Sequence, residues 1–288
     1  MIDLDKIDFH EYVEIKVETM NQIEEIIKMY NFYFGLPKEA GNTCCQAFYR
    51  GQANADWLIE PSINRININE KEQYEKNIKI LKGKSLFDRL AYLQHYSPGT
   101  RLIDFTLDYR VALYFACKDY PNKDGALHIF SYDAHKADWI DTVIFSEIIT
   151  MNYNVTIKVN DLSKHILYNY PKLNECFETV EELNLILMSF LDYGYMVLPS
   201  DESKTTNIRI QKQKGAFFIC GLQFENELDV QCRFKSNAGN NVIKSHSVNV
   251  PDSFRKGRCL TKIIIDKNCK KDILKQLDEQ GINENNLF

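Results

Sequence analysis

Apolar and polar side chains alternate over residues 11–17, broken only at Tyr12, and predict a strand. Thr19 followed three residues later by Gln22 has the form of a capping box. It opens a helix whose Ile23, Ile26, Ile27, Tyr30 and Phe34 recur at helical spacing, with Gly35 and Pro37 as stops. A short strand is expected at 46–50, then an irregular stretch at 54–69 with Trp57 and Pro61 as anchors to the core. Residues 70–81 read as a helix polar on one side. Ser85 and Asp88 cap a second helix, with Leu86, Leu90 and Leu93 inward, ending at Ser97-Pro98-Gly99. A strand at 101–105 leads to Asp108, the expected cap of a buried helix over 109–118. The turn 122–125 then opens a strand at 126–132.

The middle of the chain, 139–193, reads as two or three helices, the best at 174–191. Strand signals return at 196–198, 207–211, 216–220 and 260–265, and a last helix over 267–280 is closed by Gly281. The expectation is one α+β domain over residues 1–288. It has a mixed, mainly antiparallel sheet core with flanking helices, core motifs at 46–132, a helical insertion at 139–193 and C-terminal strands and helix at 196–288.

Composition changes this picture little. A charged fraction of 26% and a hydrophobic fraction of 44% are ordinary for a globular protein. The net charge of −5 argues against a general nucleic-acid binder, though it leaves room for a local basic groove. The eight cysteines include no C-x-x-C pair and read as reduced thiols of a cytoplasmic protein. No signal peptide is expected, and the longest apolar run, 111–117, is too short to span a bilayer, so no membrane partner is expected. The six histidines are scattered, so no metal site is expected, and the common phosphate-loop, dinucleotide-loop, nucleophile-elbow and zinc motifs are absent.

Candidate chemistry gathers at the ends of predicted elements. Tyr49-Arg50-Gly51-Gln52 places a guanidinium at a strand end, where glycine permits positive φ and close approach of a ligand. It reads equally as an exposed Arg before a turn. In Gln94-His95-Tyr96 the histidine is either a helix C-terminal cap or a site residue. Thr100, Arg101 and Asp104 come next. On a strand Arg101 and Asp104 point to opposite faces, which weakens a simple ion pair between them. Arg209, Gln211 and Gln213 would share one strand face, either a solvated edge or a cleft wall.

Taken jointly, these motifs resemble the FRG-domain family, named for a Phe/Tyr-Arg-Gly motif. The resemblance rests on Tyr49-Arg50-Gly51-Gln52, Trp57, Pro61-Ser62-Ile63, Arg65, Gln94-His95-Tyr96, Thr100-Arg101-Leu102-Ile103-Asp104 and Ala112 to Ala116, ending at Asp124-Gly125-Ala126. It is strong over 46–132 and loose elsewhere. The order of Arg50, a middle-strand hydroxyl and a late Gln-x-Gln is more distantly similar to ADP-ribosyltransferase folds. That similarity implies NAD as substrate, anchored by Arg50, with Thr106 or Thr100 on the middle strand and Gln213 at the position of the usual late Glu. A glutamine bonds the ribose hydroxyl without supplying charge, so Asp104 or a neighbouring carboxylate would supply it, with His95 as general base. The implied ligand contacts are Tyr49, Arg50, Gly51, Gln52, Gln94, Thr100, Arg101, Thr106, Arg209 and Gln211. The implied role is a transferase or NAD-cleaving effector of a bacterial toxin or antiviral defence system, with a protein or nucleic-acid acceptor. The alternative is a non-catalytic module binding a phosphate-bearing ligand, nucleic acid or a partner protein.

Overall fold

A computed structural model describes residues 7–36, 45–66, 69–148, 156–225, 238–250 and 260–288. The stop at Pro37 and the cysteines at 44, 232 and 259 lie outside the described residues. Strand β1 (Val13–Val17) leads to α1 (Met20–Tyr33), whose Thr19–Gln22 capping box forms as expected. Strand β2 (Cys45–Gln52) is followed by the short α2 (Ser62–Ile66), α3 (Glu70–Leu81) and α4 (Leu86–Tyr96). Next come β3 (Leu102–Thr106), α5 (Tyr109–Cys117) and β4 (Gly125–Lys136). The middle supplies α6 (Ile140–Glu147), β5 (Thr156–Lys158), α7 (Val159–Asn169) and α8 (Val180–Tyr193). The chain continues through β6 (Tyr195–Leu198), α9 (Asp201–Thr206), α10 (Ile208–Lys212), β7 (Gly215–Ile219), β8 (Gly221–Phe224) and β9 (Val242–Asn249). It closes with β10 (Leu260–Ile265), α11 (Lys270–Glu279) and α12 (Glu284–Leu287).

Seven strands run in the order β1-β10-β4-β2-β3-β7-β6, and β4 also pairs with β6. That extra pairing closes β4, β2, β3, β7 and β6 into a barrel-like ring, with β10 and β1 as a tail. Only β1–β10 and β4–β6 are parallel. The length of β4 makes closure possible, since residues 125–133 pair with β10 and β2 and Ala134–Lys136 reach β6. A smaller sheet, β5-β9-β8, forms beside it; the sequence pattern missed these short strands apart from any period of their own.

Alternation along the strands sorts the core. Phe48, Ile103, Phe105, Phe130, Met196 and Phe218 come one face at a time from all five ring strands and fill its interior. Outward-facing Tyr49, Leu127 and Ile129 pack under α1, α5 and α11. Leu102, Val197, Phe217 and Ile219 pack under α4, α6, α7 and α8, so the helical middle shares a core with the ring.

Three local expectations change. The strand expected at 207–211 is instead the short helix α10, which follows α9 and is capped by Asn207. Ser200 accepts from the Ser203 N–H and Asn207 from the Arg209 N–H, and these caps override the period-two signal of Ile208 and Ile210. Ile208 is consequently exposed while Ile210 is buried. The helix expected at 174–191 begins at Val180, after a 3₁₀ turn at Pro171–Glu175. Gly51 has no positive φ. It is needed because a Cβ there would lie 1.7 Å from the Ala112 carbonyl oxygen, and a Cβ on Gly125 would lie 2.4 Å from that of Ala116. These two glycines facing Ala112 and Ala116 let α5 lie directly on β2 and β4, so the close approach is to a helix and not to a ligand.

Candidate functional site

Strands β2 and β3 pair at one point, Tyr49 with Thr106. Continuing that antiparallel register would set Gly51 opposite Asp104, but the strands part there. Across the split, Arg50 Nη1 donates to the Asp104 carbonyl oxygen at 2.7 Å. A guanidinium thus takes a carbonyl that a ladder bond would otherwise hold, and the opening becomes a cavity of about 390 Å³. That volume is within the range of roughly 300–1,000 Å³ common for small-molecule sites.

One wall comes from α4 and β3. Gln94 Nε2 donates to the Asp104 carboxylate at 2.9 Å, and the Thr100 hydroxyl donates to Gln94 Oε1 at 2.7 Å. Thr100 itself accepts from the Leu102 N–H and is buried, so it orients Gln94 from behind without lining the cavity. Next to Gln94 is His95, with its ring edge-on to Phe217. Its Nε2 is buried without a hydrogen-bond partner among the described residues. Burial lowers its pKa, the Asp104 charge opposes that shift, and Arg209 adds to it, so the imidazole is neutral at pH 7.

Beneath Arg50, the buried His128 shares Nε2 with Gln52 Oε1 at 2.8 Å, while Gln52 Nε2 donates to the Leu58 carbonyl. Burial first, then the charges of Arg50 and Lys262, push the His128 pKa down to about 3. As a neutral ring it therefore donates from Nε2 and fixes the Gln52 amide.

The opposite wall is built by α10 and the chain's last residues. Arg209 Nη1 donates to the His95 carbonyl at 3.3 Å, and its guanidinium lies 4.8 Å from the Phe288 ring. Gln213 Nε2 donates to the Leu287 carbonyl, and the Gln213 carbonyl accepts from the Thr106 hydroxyl at 2.6 Å. Lys118 stands 5.1 Å from the Phe288 ring. At the other end of the cavity Trp57 and Tyr120 meet edge to face.

The structure brings Tyr49, Arg50, Gly51, Gln52, Gln94, His95, Asp104, Thr106, Arg209 and Gln213 onto one cavity. It leaves out two candidates besides Thr100. The Arg101 guanidinium is wholly buried and pairs with Glu70 through Nε at 2.7 Å and Nη2 at 2.5 Å. Arg101 is thus a structural strut and not a ligand contact. Gln211 is exposed and off the cavity because the segment is helical: at 3.6 residues per turn Arg209 and Gln213, four apart, lie on one side and Gln211 between them points away. Sequence reading missed Phe115, Lys118, Tyr120 and Phe288, and it placed Trp57 in the core, whereas the ring is 40% exposed on the cavity rim. Trp57 and Phe115 lay within the family motifs without being assigned to the site, whereas Lys118, Tyr120 and Phe288 lay outside any motif.

Among the described residues no thiol lines the cavity. Burial raises Cys117 to about 12 and Cys269 to about 11, and pushes Cys220 up as well. Among the described residues no three His, Cys, Asp or Glu converge as a metal centre would need, and no helix is long and apolar enough to cross a membrane.

No curated protein matches the chain, and no solved structure does either. Residues 45–125, which contain the split between β2 and β3 and most of the cavity wall, match the family model described as the FRG domain, so this chain carries an FRG domain.

Proposed function

We propose that the cavity binds NAD and that the protein is an ADP-ribosyltransferase-like or NAD-cleaving enzyme. The observation that carries this reading is the convergence of Arg50, His95, Asp104 and Gln213, which are distant in sequence, on one cavity. The Arg50 guanidinium, with Lys118 and Arg209 further along, suits a diphosphate. Thr106 is committed to the Gln213 carbonyl and the Asp108 N–H, and the Gln213 amide to the Leu287 carbonyl. Both hold the wall in place. The carboxylate that meets developing charge is then Asp104, oriented by Gln94.

In this scheme the bond from ribose C1′ to nicotinamide breaks and its electron pair leaves with neutral nicotinamide. The Asp104 carboxylate stabilises the oxocarbenium character at C1′. A water, or a hydroxyl of a macromolecular acceptor, attacks C1′ and its proton passes to the His95 imidazole. The products are nicotinamide and ADP-ribose, or nicotinamide and an ADP-ribosylated acceptor.

Asp104→Asn keeps the backbone carbonyl that Arg50 holds and removes the charge. Nicotinamide release should then fall by roughly 10²–10³-fold, the usual effect of removing one preorganised electrostatic group, with NAD affinity changed far less. The commitment of Thr106 and Gln213 to structural bonds favours a second reading, a non-catalytic module for a phosphate-bearing ligand, nucleic acid or a partner protein. Saturable NAD binding with no nicotinamide released by the wild-type protein, with or without added acceptor, would select that second reading.

A further inference from the structure

We propose that Trp57 and Tyr120 form a subsite for the planar base of a nucleotide whose phosphate meets Arg50. This rests on the nucleotide-binding reading of the cavity and deepens it. Both rings line the same cavity as Arg50, and both residues are exposed, 40% for Trp57 and 55% for Tyr120. Their centroids are 5.1 Å apart and their planes cross at 84°. A pair at that angle is an open corner: a flat ring can lie face-on to one member and edge-on to the other.

The corner is built at a cost that core packing does not return. Tyr120 has φ +51, a left-handed backbone that non-glycine residues adopt under strain. Three backbone carbonyls, those of Ala53, Asp119 and Tyr120, accept from the ammonium of Lys270 at 2.7, 3.2 and 3.2 Å. Lys270 is itself only 2% exposed. A buried cation therefore bolts the exit of β2 to the exit of α5. The Ala55 N–H donates to the Asp124 carbonyl at 2.8 Å and the Lys123 N–H to the Tyr120 carbonyl at 3.0 Å, adding two further ties between and within these loops. The bolted loops hold up two rings that are turned to the cavity instead of the core. Aromatic faces held open toward a cavity that also contains Arg50 are what base stacking beside a phosphate anchor uses.

The chain has two tryptophans, so Trp139→Phe leaves Trp57 as the sole indole reporter. In that background AMP should quench Trp57 fluorescence saturably. Ribose 5-phosphate, followed by calorimetry, should bind more weakly and leave the fluorescence unchanged. Trp57→Ala should lower AMP affinity by roughly 5- to 100-fold, the range of one lost base stack, and leave ribose 5-phosphate affinity as it was. Tyr120→Gly removes the strained Cβ along with the ring, so it should keep the wild-type melting temperature while also losing AMP affinity. AMP binding equally tight in wild type, Trp57→Ala and Tyr120→Gly would overturn the base subsite while leaving the phosphate site standing. If the wild-type protein binds neither AMP, ribose 5-phosphate nor NAD, the nucleotide reading and the subsite fall together.

Discussion

Glu70→Gln is expected to destabilise the protein by about 3–5 kcal/mol, the range for stranding one member of a buried ion pair. Glu70 and Arg101 are both 0% exposed, and Glu70 takes the Arg101 backbone N–H as well as its guanidinium. The pair ties the start of α3 to the start of β3, next to the Thr100–Gln94–Asp104 chain. In a chain of this size the melting temperature should drop by roughly 10 °C. Arg101→Met should cost a comparable amount, and combining Glu70→Leu with Arg101→Met should recover much of the loss, because two apolar residues leave no stranded charge. Per folded molecule, ligand affinity should be unchanged in all of these variants. Urea midpoints for the set decide the matter: single variants with wild-type midpoints, or a Glu70→Gln protein that is stable but no longer binds ligand, would return Arg101 to the site.

Falling pH should destabilise this protein through His128, beginning as the pH drops below about 6.5. The unfolded chain binds a proton at the ordinary histidine value of 6.5, but the folded protein resists it to about 3 because the ring is buried under Arg50 and near Lys262. A depressed folded pKa means the stabilisation is complete above 6.5 and is lost as pH falls toward 3. The full shift corresponds to about 5 kcal/mol, and His95, also depressed, adds to the loss in the same direction. His128→Gln keeps an amide donor for the Gln52 oxygen and cannot titrate. Its urea midpoint should therefore decline less between pH 7 and pH 4 than that of the wild type. Parallel declines would mean that His128 is not held neutral in the folded state.

Much of the architecture was legible because local signals and tertiary packing agree. The Thr19 box, the Ser85 and Asp108 caps and the periodic apolar faces of α1, α4 and α5 all form as read. Ring closure was not legible, because the β4–β6 contact is a long-range pairing with no local signature. At 207–213 two isoleucines two residues apart mimicked a strand, and the shorter-range signal of Asn207 capping Arg209 prevailed. Arg50 and His95, near the ends of β2 and α4, and Asp104, in the middle of β3, were singled out by the motif pattern, and the fold brings all three onto one cavity. Arg101 misled because its partner, Glu70, lies 31 residues upstream on a helix that sequence alone shows only as polar. Lys270 went unnoticed for a similar reason: its acceptors are backbone carbonyls, which no side-chain motif records.

The central claim is that the split between β2 and β3 is a ligand site gripped by the Arg50 fork. A calorimetric titration of NAD into wild-type protein and Arg50→Lys, with melting temperatures measured on the same samples, tests it most directly. A lysine retains one donor for the Asp104 carbonyl, so stability should change by no more than about 1 kcal/mol. Losing the bidentate geometry should weaken NAD binding by roughly tenfold to a hundredfold. An Arg50→Lys protein that melts much earlier but binds NAD as tightly as wild type would make Arg50 a strand-end strut and contradict the account.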